Sequence, residues 1–298
     1  MAASQPVVDV RRQPHTQAAP NRHDPFEETQ LLYGERVRLL TVQDGWAQIE
    51  AIEQAEYTHR RKWQGYPGWV PAERLTPAEP LSPPSVVVTE KWAPVWQDAY
   101  QTQAAPFQLP LGTLLRATDM GGRLWRVELV DGSSVWIDHA HARSLSALQA
   151  LSEPEQRRLL LRTAERFLGD PYFWGGRSPA DGPSLDGVTG VDCSGLVNLS
   201  YRTIGLAIPR DAHEQFMRAQ RIKVPQPGDL IFLSERLNPH RIVHVMLYAG
   251  DGQVIEGPGT GLPVRRIALS QRLGQSLDWL APGTVVDEQT VFFGTYFE

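Results

Sequence analysis

The chain has 298 residues, 41% of them hydrophobic and 21% charged, with a formal net charge of −5 at pH 7. This length is typical of a globular protein of about two domains, and small β-barrels raise the expected number. The acidic balance, with a pI near 5.9, argues against nucleic-acid binding through bulk charge. No apolar run approaches the roughly 18 residues of a membrane-spanning helix, so no membrane span is expected.

Residues 1–6, Met-Ala-Ala-Ser-Gln-Pro, lack the positively charged start and the apolar core of a secretory signal. The chain as it stands is therefore expected in the cytoplasm. If an export signal has been removed, a periplasmic or extracellular location is expected instead. The single cysteine cannot form an intrachain disulfide and says little about the compartment.

The first half of the chain contains an internal repeat of short strands separated by turn residues. Each copy has a strand followed by two later tryptophans: residues 32–39 with Trp46 and Trp69, and residues 109–115 with Trp125 and Trp136. This pattern predicts two small antiparallel barrels, in residues 1–78 and 79–148, joined by a stiff proline-rich connector at 76–84. The first copy has a longer insertion, residues 50–65, which is predicted to run over the barrel surface and reach a neighbouring domain or a ligand.

A helical pattern from Glu153 to Leu168 opens a third domain, predicted over residues 149–298. Ser152 stands at the N-cap position and Glu155 three residues later, which predicts a capping box.

The only cysteine, Cys193, lies in the first predicted turn of a helix that follows a glycine-rich loop. Backbone N–H groups and the positive end of the helix dipole favour a thiolate there, and the thiolate is the nucleophile. The alternative is a small buried side chain, since free cysteines are often buried.

His244 lies in an alternating apolar run that ends at Gly250-Asp251-Gly252, which predicts a β-hairpin. A two-residue turn would pair position 244 with 259 and place Glu256 on the opposite face. A three-residue loop would pair 244 with 258 and place Glu256 on the face of His244. The second register forms a constellation in which Cys193 attacks, His244 transfers the proton and Glu256 orients the imidazole.

Six segments in this order resemble the NlpC/P60 cysteine peptidases. They are residues 171–176, Asp192-Cys193-Ser194-Gly195, residues 208–211, residues 227–230, His244-Val245 and the polar residue at 256. The resemblance implies an α+β fold, a papain-like catalytic domain preceded by two SH3-like β-barrels, that cuts bacterial cell-wall peptides after γ-linked D-glutamate. It also implies that Cys193 is the nucleophile and His244 the base. The third position in this family is most often histidine, so Glu256 is a departure that bears on rate and pH optimum.

The three-domain arrangement resembles a subgroup of γ-D-glutamyl-L-diamino-acid endopeptidases in which the first barrel helps to bind the free amine of an N-terminal L-alanine. The residues that the resemblance assigns to substrate binding are Glu28 (or Glu27, one position earlier), Tyr66, Trp174, Asp192, Ser194 and Asp211. Trp174 would form an apolar wall, and Ser194 would offer its backbone N–H or its hydroxyl to the substrate or the oxyanion. The expected partner is therefore a murein-derived peptide of the L-Ala-γ-D-Glu-diamino-acid type, bound by a monomer.

Metal hydrolysis is not expected, and neither is any cofactor. His240 and His244 have the spacing of a helical zinc pair, but they lie in a strand-like run. His139 and His141 are predicted to be surface side chains, and residues 177–191 a loop at the cleft rim. Two other functions stay open: a binding protein that holds wall peptides without cutting them, and an amidase or acyltransferase on the same cysteine scaffold.

Overall fold

The computed structural model describes residues 1–15, 23–78, 83–119, 122–182 and 188–297. Within these ranges the chain forms a first β unit, a second β unit and a C-terminal unit of mixed helix and sheet. Parts of two predicted segments, the connector at 76–84 and the loop at 177–191, lie outside the described residues, at 79–82 and 183–187. Over the described residues, no helix has both the length and the apolar character needed to cross a membrane.

The first β unit has its own apolar core, in which Val8, Leu31, Ile49 and Val70 are fully buried. Strand β6 (Gln64–Pro71) illustrates how this core forms, because its alternate residues point inward and the others face the surface. The main sheet has the order β3-β2-β6-β5-β4. The strands are β1 (Ala2–Ala3), β2 (Val7–Arg11), β3 (Glu27–Leu32), β4 (Val37–Gln43), β5 (Trp46–Glu56), β6 (Gln64–Pro71) and β7 (Leu75–Thr76).

The second β unit packs around Val95, Leu109, Val127 and Ile137. Its strands are hydrogen-bonded in the order β10-β9-β13-β12-β11-β8-β14. The elements are β8 (Val86–Val88), β9 (Trp92–Trp96), β10 (Ala104–Pro110), β11 (Leu114–Asp119), β12 (Leu124–Glu128), β13 (Ser134–Asp138), β14 (Ala142–Ser144) and helix α1 (Leu145–Gln149).

The C-terminal unit is an antiparallel sheet of order β15-β21-β16-β17-β18-β19 with helices on both faces. Val245 and Leu247 on β17 (Asn238–Gly250) join one core with helix α3 (Cys193–Arg202), and Met246 and Tyr248 join a second core with helix α5 (Leu269–Leu273). The elements are α2 (Glu153–Glu165), α3 (Cys193–Arg202), α4 (Ala212–Arg218), β15 (Gln220–Arg221), β16 (Leu230–Glu235), β17 (Asn238–Gly250), β18 (Gln253–Glu256), β19 (Arg265–Ala268), α5 (Leu269–Leu273), β20 (Val285–Val286) and β21 (Gln289–Thr295).

Helix α2 has the predicted capping box, because Glu155 accepts hydrogen bonds from the backbone N–H and the hydroxyl of Ser152 at 2.9 and 2.5 Å. The predicted end at Leu168 is wrong, since the helix ends at Glu165. The following residues make i→i−3 hydrogen bonds, which tighten the last turn. Gly169, with a φ of +89°, then turns the chain away.

The insertion of the first β unit reaches the C-terminal unit, as its length predicts. Its residues 50–56 lengthen β5, and residues 57–63 form the loop between β5 and β6, where the backbone N–H of Thr58 donates to Glu214 on α4 at 3.0 Å. Two ion pairs join the same units: Arg177 with Glu35 at 2.8 Å, which is buried, and Arg202 with Glu53 at 2.7 Å, which is partly buried. The first β unit is therefore held against the C-terminal unit by paired, largely desolvated charges, and removal of either partner would be costly.

Candidate active site

Cys193 is the first residue of helix α3, as the sequence predicts. Asp192 is the N-cap, and its carboxylate accepts a hydrogen bond from the backbone N–H of Gly195 at 2.6 Å. Glycine is needed at 195, because a Cβ there would lie 2.2 Å from the carbonyl oxygen of Gly176 in the preceding loop. The cap and this close approach hold the thiol at the floor of a cavity of about 820 Å³.

The hairpin of β17 and β18 has the register that places His244 and Glu256 on one face. Asp251 and Gly252 form a two-residue turn with positive φ angles, which brings Gly250 opposite Gln253. A bulge at Ala249 then shifts the pairing by one residue, so that Tyr248 lies opposite Val254. The tight turn and the shared face, which the sequence presented as alternatives, therefore occur together.

His244 is the link between the thiol and the carboxylate. Its Nε2 lies 2.8 Å from Oε2 of Glu256, which leaves Nδ1 to act on Cys193. Burial favours the neutral ring, but hydrogen bonds to Cys193 and Glu256 outweigh it and raise the pKa of His244 to about 9. The geometry therefore favours an imidazolium at neutral pH, which is the form that pairs with a thiolate.

Glu256 is buried and is held as a carboxylate by cations. Burial opposes its charge, yet hydrogen bonding and charge interaction with His244, together with two arginines, lower its pKa to about 2. Arg265 donates to Oε1 from Nε and Nη2 at 3.0 and 2.7 Å. Arg272 donates from Nε to Oε1 at 3.1 Å and to Oε2 at 3.0 Å. The sequence reasoning missed both arginines.

Glu256→Gln is expected to lower kcat roughly tenfold to a hundredfold, with a smaller change in KM. The amide keeps the shape but removes the charge that stabilises the imidazolium, so the pKa of His244 falls. The alkaline limb of the pH–rate profile should then move to lower pH. Steady-state kinetics across pH would measure both effects, and an unchanged kcat with an unmoved limb would show that Glu256 does not act on His244.

Another part of the same cavity brings together Tyr66, Glu28 and Asp211. The Tyr66 hydroxyl lies 3.0 Å from Asp211 Oδ2 and 3.3 Å from Glu28 Oε2, so it donates to one carboxylate at a time. Desolvation and the nearby carboxylates Glu214 and Asp192 raise the pKa of Asp211 to about 7, against the opposing effect of Arg210. Two carboxylates and a phenol around one space suit an ammonium group.

Glu28, rather than Glu27, faces Tyr66. Glu27 is almost fully buried and pairs with Arg11 at 3.4 Å. Glu28 also has protein cations beside it, Arg12 at 2.5 Å and His59 at 3.6 Å. The hydrogen bonds of His59 with Glu28 and Glu56 raise its pKa to about 10. In the sequence, the only indication of a role for His59 was its place in the insertion of residues 50–65.

The side chains of Asp192 and Ser194 make more hydrogen bonds within the protein than the resemblance implies for substrate-binding residues. Arg210, which is fully buried, donates to both carboxylate oxygens of Asp192 at 3.1 and 2.8 Å and to the Ser194 hydroxyl at 2.9 Å. That hydroxyl in turn donates to Asp192 at 3.1 Å. Both side chains therefore position the start of α3, and the Ser194 hydroxyl is already engaged by Arg210 and Asp192.

Trp174 and Tyr172 line the same cavity. Trp174 is 44% exposed, and its ring centroid lies 5.7 Å from that of His23, consistent with an apolar wall. Burial and the charges of Cys193 and Asp192 raise the pKa of Tyr172, which keeps its hydroxyl protonated beside the nucleophile. The sequence placed Tyr172 in the motif but gave it no role.

His139 and His141 are not surface side chains. Both are partly buried, and His139 stacks against Trp125 with ring centroids 3.9 Å apart. Both residues lie in the turn between β13 and β14, where Nε2 of His139 and Nδ1 of His141 are buried. Over the described ranges, no group of three or more His, Cys, Asp or Glu side chains could hold a metal ion.

Residues 169–276, which include Cys193, His244 and Glu256, match the NlpC/P60 family, so the chain carries an NlpC/P60 domain. The chain is 29% identical over 252 residues to a gamma-D-glutamyl-L-lysine dipeptidyl-peptidase of Bacillus cereus, an alignment covering 82% of this chain and 71% of that protein. It is 26% identical over 249 residues to the Bacillus subtilis protein of the same name, covering 83% and 77%. Its fold matches the crystal structure of an NlpC/P60 family protein from Bacillus cereus, with a TM-score of 0.75, 24% identity and 99% coverage of each chain. These similarities indicate a peptidase.

Proposed function

We propose that this protein is a cysteine peptidase that hydrolyses the γ-D-glutamyl bond to the diamino acid in murein peptides with a free N-terminal L-alanine. The observation that carries the proposal is that one cavity is lined by Cys193 and His244, with Glu256 buried behind His244, and also by Tyr66, Glu28 and Asp211. The names of the two Bacillus relatives point to the same bond with L-lysine as the diamino acid. Turnover or recycling of cell-wall peptides is the role that this chemistry suits.

The reaction begins when the Cys193 thiolate attacks the side-chain carbonyl carbon of the D-glutamyl residue. Negative charge then develops on the carbonyl oxygen, and the backbone N–H of Cys193 at the start of α3 and the Tyr172 hydroxyl are the donors proposed for it. The His244 imidazolium gives its proton to the amine of the diamino acid, which leaves. A thioester remains on Cys193, and His244 takes a proton from the water that hydrolyses it.

The carboxylates beside Tyr66 would account for a preference for peptides with a free amine. An L-alanyl ammonium bound between Asp211 and Glu28 would exchange its water molecules for the two carboxylates. It would also donate a hydrogen bond to the Tyr66 oxygen. An acylated amine has no such charge, so it would lose the attraction of both carboxylates and the hydrogen bonds that an ammonium donates to them. We therefore assign Glu28, Tyr66 and Asp211 to amine binding and Trp174 to the wall beside the peptide.

The two β units also have proposed roles. We assign residues 1–78 and 79–148 to SH3-like modules and residues 149–298 to the catalytic domain, because each of the two modules has its own apolar core. The first module would close the amine end of the cleft, since Tyr66 and Glu28 come from it.

The bond that is cut tests this proposal. We expect L-Ala-γ-D-Glu-L-Lys and L-Ala-γ-D-Glu-diaminopimelate to yield L-Ala-D-Glu and the free diamino acid, as identified by mass spectrometry. The α-linked isomer is the matched control and should stay intact, because its scissile carbonyl is attached two carbon atoms closer to the amine. Binding of the γ-linked peptides without any cleavage would favour a binding protein and overturn the proposal.

A further inference from the structure

The carboxylate of Glu256 is shared between the base and two arginines, and the two oxygens are not equivalent. Oε2 accepts from His244 at 2.8 Å and from Arg272 at 3.0 Å. Oε1 accepts from Arg265 at 2.7 and 3.0 Å and from Arg272 at 3.1 Å. Arg265 therefore holds the oxygen that points away from the base, while Arg272 also touches the oxygen that the base uses.

The two arginines come from different elements. Arg265 opens strand β19 directly opposite Glu256 in the ladder with β18, so its side chain lies on the same face of the sheet. Arg272 comes from helix α5, whose Leu269 and Leu273 are buried in the core beneath the sheet. The intervening residue Arg266 points the other way and pairs with Glu165 at 3.0 Å.

Without these cations, Glu256 would be a buried carboxylate with a single histidine partner. Burial disfavours a lone carboxylate strongly and would promote its protonation. A protonated Glu256 would no longer stabilise an imidazolium. Arginine suits the task because its planar group binds a carboxylate through several N–H donors and stays charged.

We propose that Arg265 and Arg272 are positioning residues for His244: both fix the carboxylate of Glu256, and Arg272 also limits how strongly that carboxylate stabilises the imidazolium. The proposal rests on the proposed function for its link to turnover. The two arginines would then be the groups that allow this chain to use glutamate at the third catalytic position, where the family most often has histidine.

The sign of the charge effect follows from the geometry. When Arg272 alone is removed, the two hydrogen bonds from Arg265 keep Glu256 ionised. A cation on Oε2 weakens the negative potential at the oxygen that faces His244, so removal of Arg272 should leave a more negative partner and raise the pKa of His244. Removal of Glu256 itself should have the opposite effect. The other groups around His244 are the same in the Arg272 and Glu256 variants that are compared: the residue at 193, Asp192 at the N-cap of α3, Tyr172 from the preceding loop, His213 from α4, Arg265 from β19 and Arg241 from β17.

The test compares Arg272→Gln with Arg272→Lys, Arg265→Gln and the control Arg266→Gln. We expect Arg272→Gln to lower kcat roughly tenfold with little change in KM, and to move the alkaline limb to higher pH by about one unit. Arg272→Lys restores the charge but not the shape, so the limb should return while kcat recovers only in part. Arg265→Gln should lower kcat with a smaller shift of the limb, and Arg266→Gln should change neither.

A second readout does not depend on turnover. In a Cys193→Ala background, the His244 ring can be titrated by NMR with labelled histidine, where Arg272→Gln should raise the pKa and Glu256→Gln should lower it. If the two variants shift the pKa of His244 in opposite directions but the protein with Cys193 cleaves no peptide, the arginines keep their positioning role and the proposed function is wrong. A limb and a titration that do not move in Arg272→Gln, or that move to lower pH, would overturn this inference and reduce the arginines to a structural role.

Discussion

Replacement of Cys193 by alanine is expected to abolish turnover while the fold stays intact. The thiol is the nucleophile of the proposed reaction, and loss of a nucleophile that works as a unit with its base lowers kcat by a factor on the order of 10⁵ or more. The side chain is small and 8% exposed at the cavity floor, so alanine fits its place. Peptide cleavage and thermal unfolding, measured on the same preparation, separate the two effects.

His244→Ala should be nearly as inactive as Cys193→Ala, and the double variant should be no worse than either. Nucleophile and base contribute as one unit, so their losses do not add. A folded Cys193→Ala protein with substantial residual cleavage would contradict the assignment of the nucleophile. Unfolding of that variant would indicate instead that Cys193 is a structural side chain.

Replacement of Arg210 by methionine is expected to lower the free energy of unfolding by about 3–5 kcal/mol, the range found when one partner of a buried ion pair is removed. Arg210 is fully buried and pairs with Asp192 through two hydrogen bonds. Its Nε also donates to Thr29 of the first β unit at 2.7 Å. The variant would leave the Asp192 carboxylate without its cation and loosen the contact between the two units.

Chemical denaturation would measure this change, with Arg143→Met as the control because Arg143 is exposed on β14. The control is expected to lie within about 0.5 kcal/mol of the unaltered protein, as surface substitutions usually do. A similar result for Arg210→Met would show that the buried pair gives no net support to the start of α3.

The sequence predicted those parts of the site that depend on local pattern. Asp192 before Cys193 marks the start of a helix, and the alternation around His244 marks a strand, so both side chains could be placed on their elements. The hairpin register could not be fixed, because a single bulge at Ala249 decides which face Glu256 occupies. A bulge changes the pairing without changing the apolar alternation on which the prediction depends.

The charged partners of Glu256 and Glu28 could not be predicted from the sequence, for a different reason. Arg265 and Arg272 follow Glu256 by 9 and 16 residues, and they meet it only because β19 and α5 fold back over β18. Arg12 and His59 reach Glu28 within the first β unit in the same way. Neither hydrophobic periodicity nor turn residues predict such long-range contacts. The catalytic residues could be predicted because their motifs occur in a fixed order along the sequence.

The most direct test of the account compares L-Ala-γ-D-Glu-L-Lys with the same peptide acetylated at its N-terminus. The amine pocket and the nucleophile must both be correctly assigned for the two substrates to differ. We predict release of L-Ala-D-Glu from the free peptide and a kcat/KM for the acetylated peptide that is lower by a factor on the order of 10³, because the acetylated peptide lacks the charge that Asp211 and Glu28 would bind. Equal cleavage of both peptides would contradict the account.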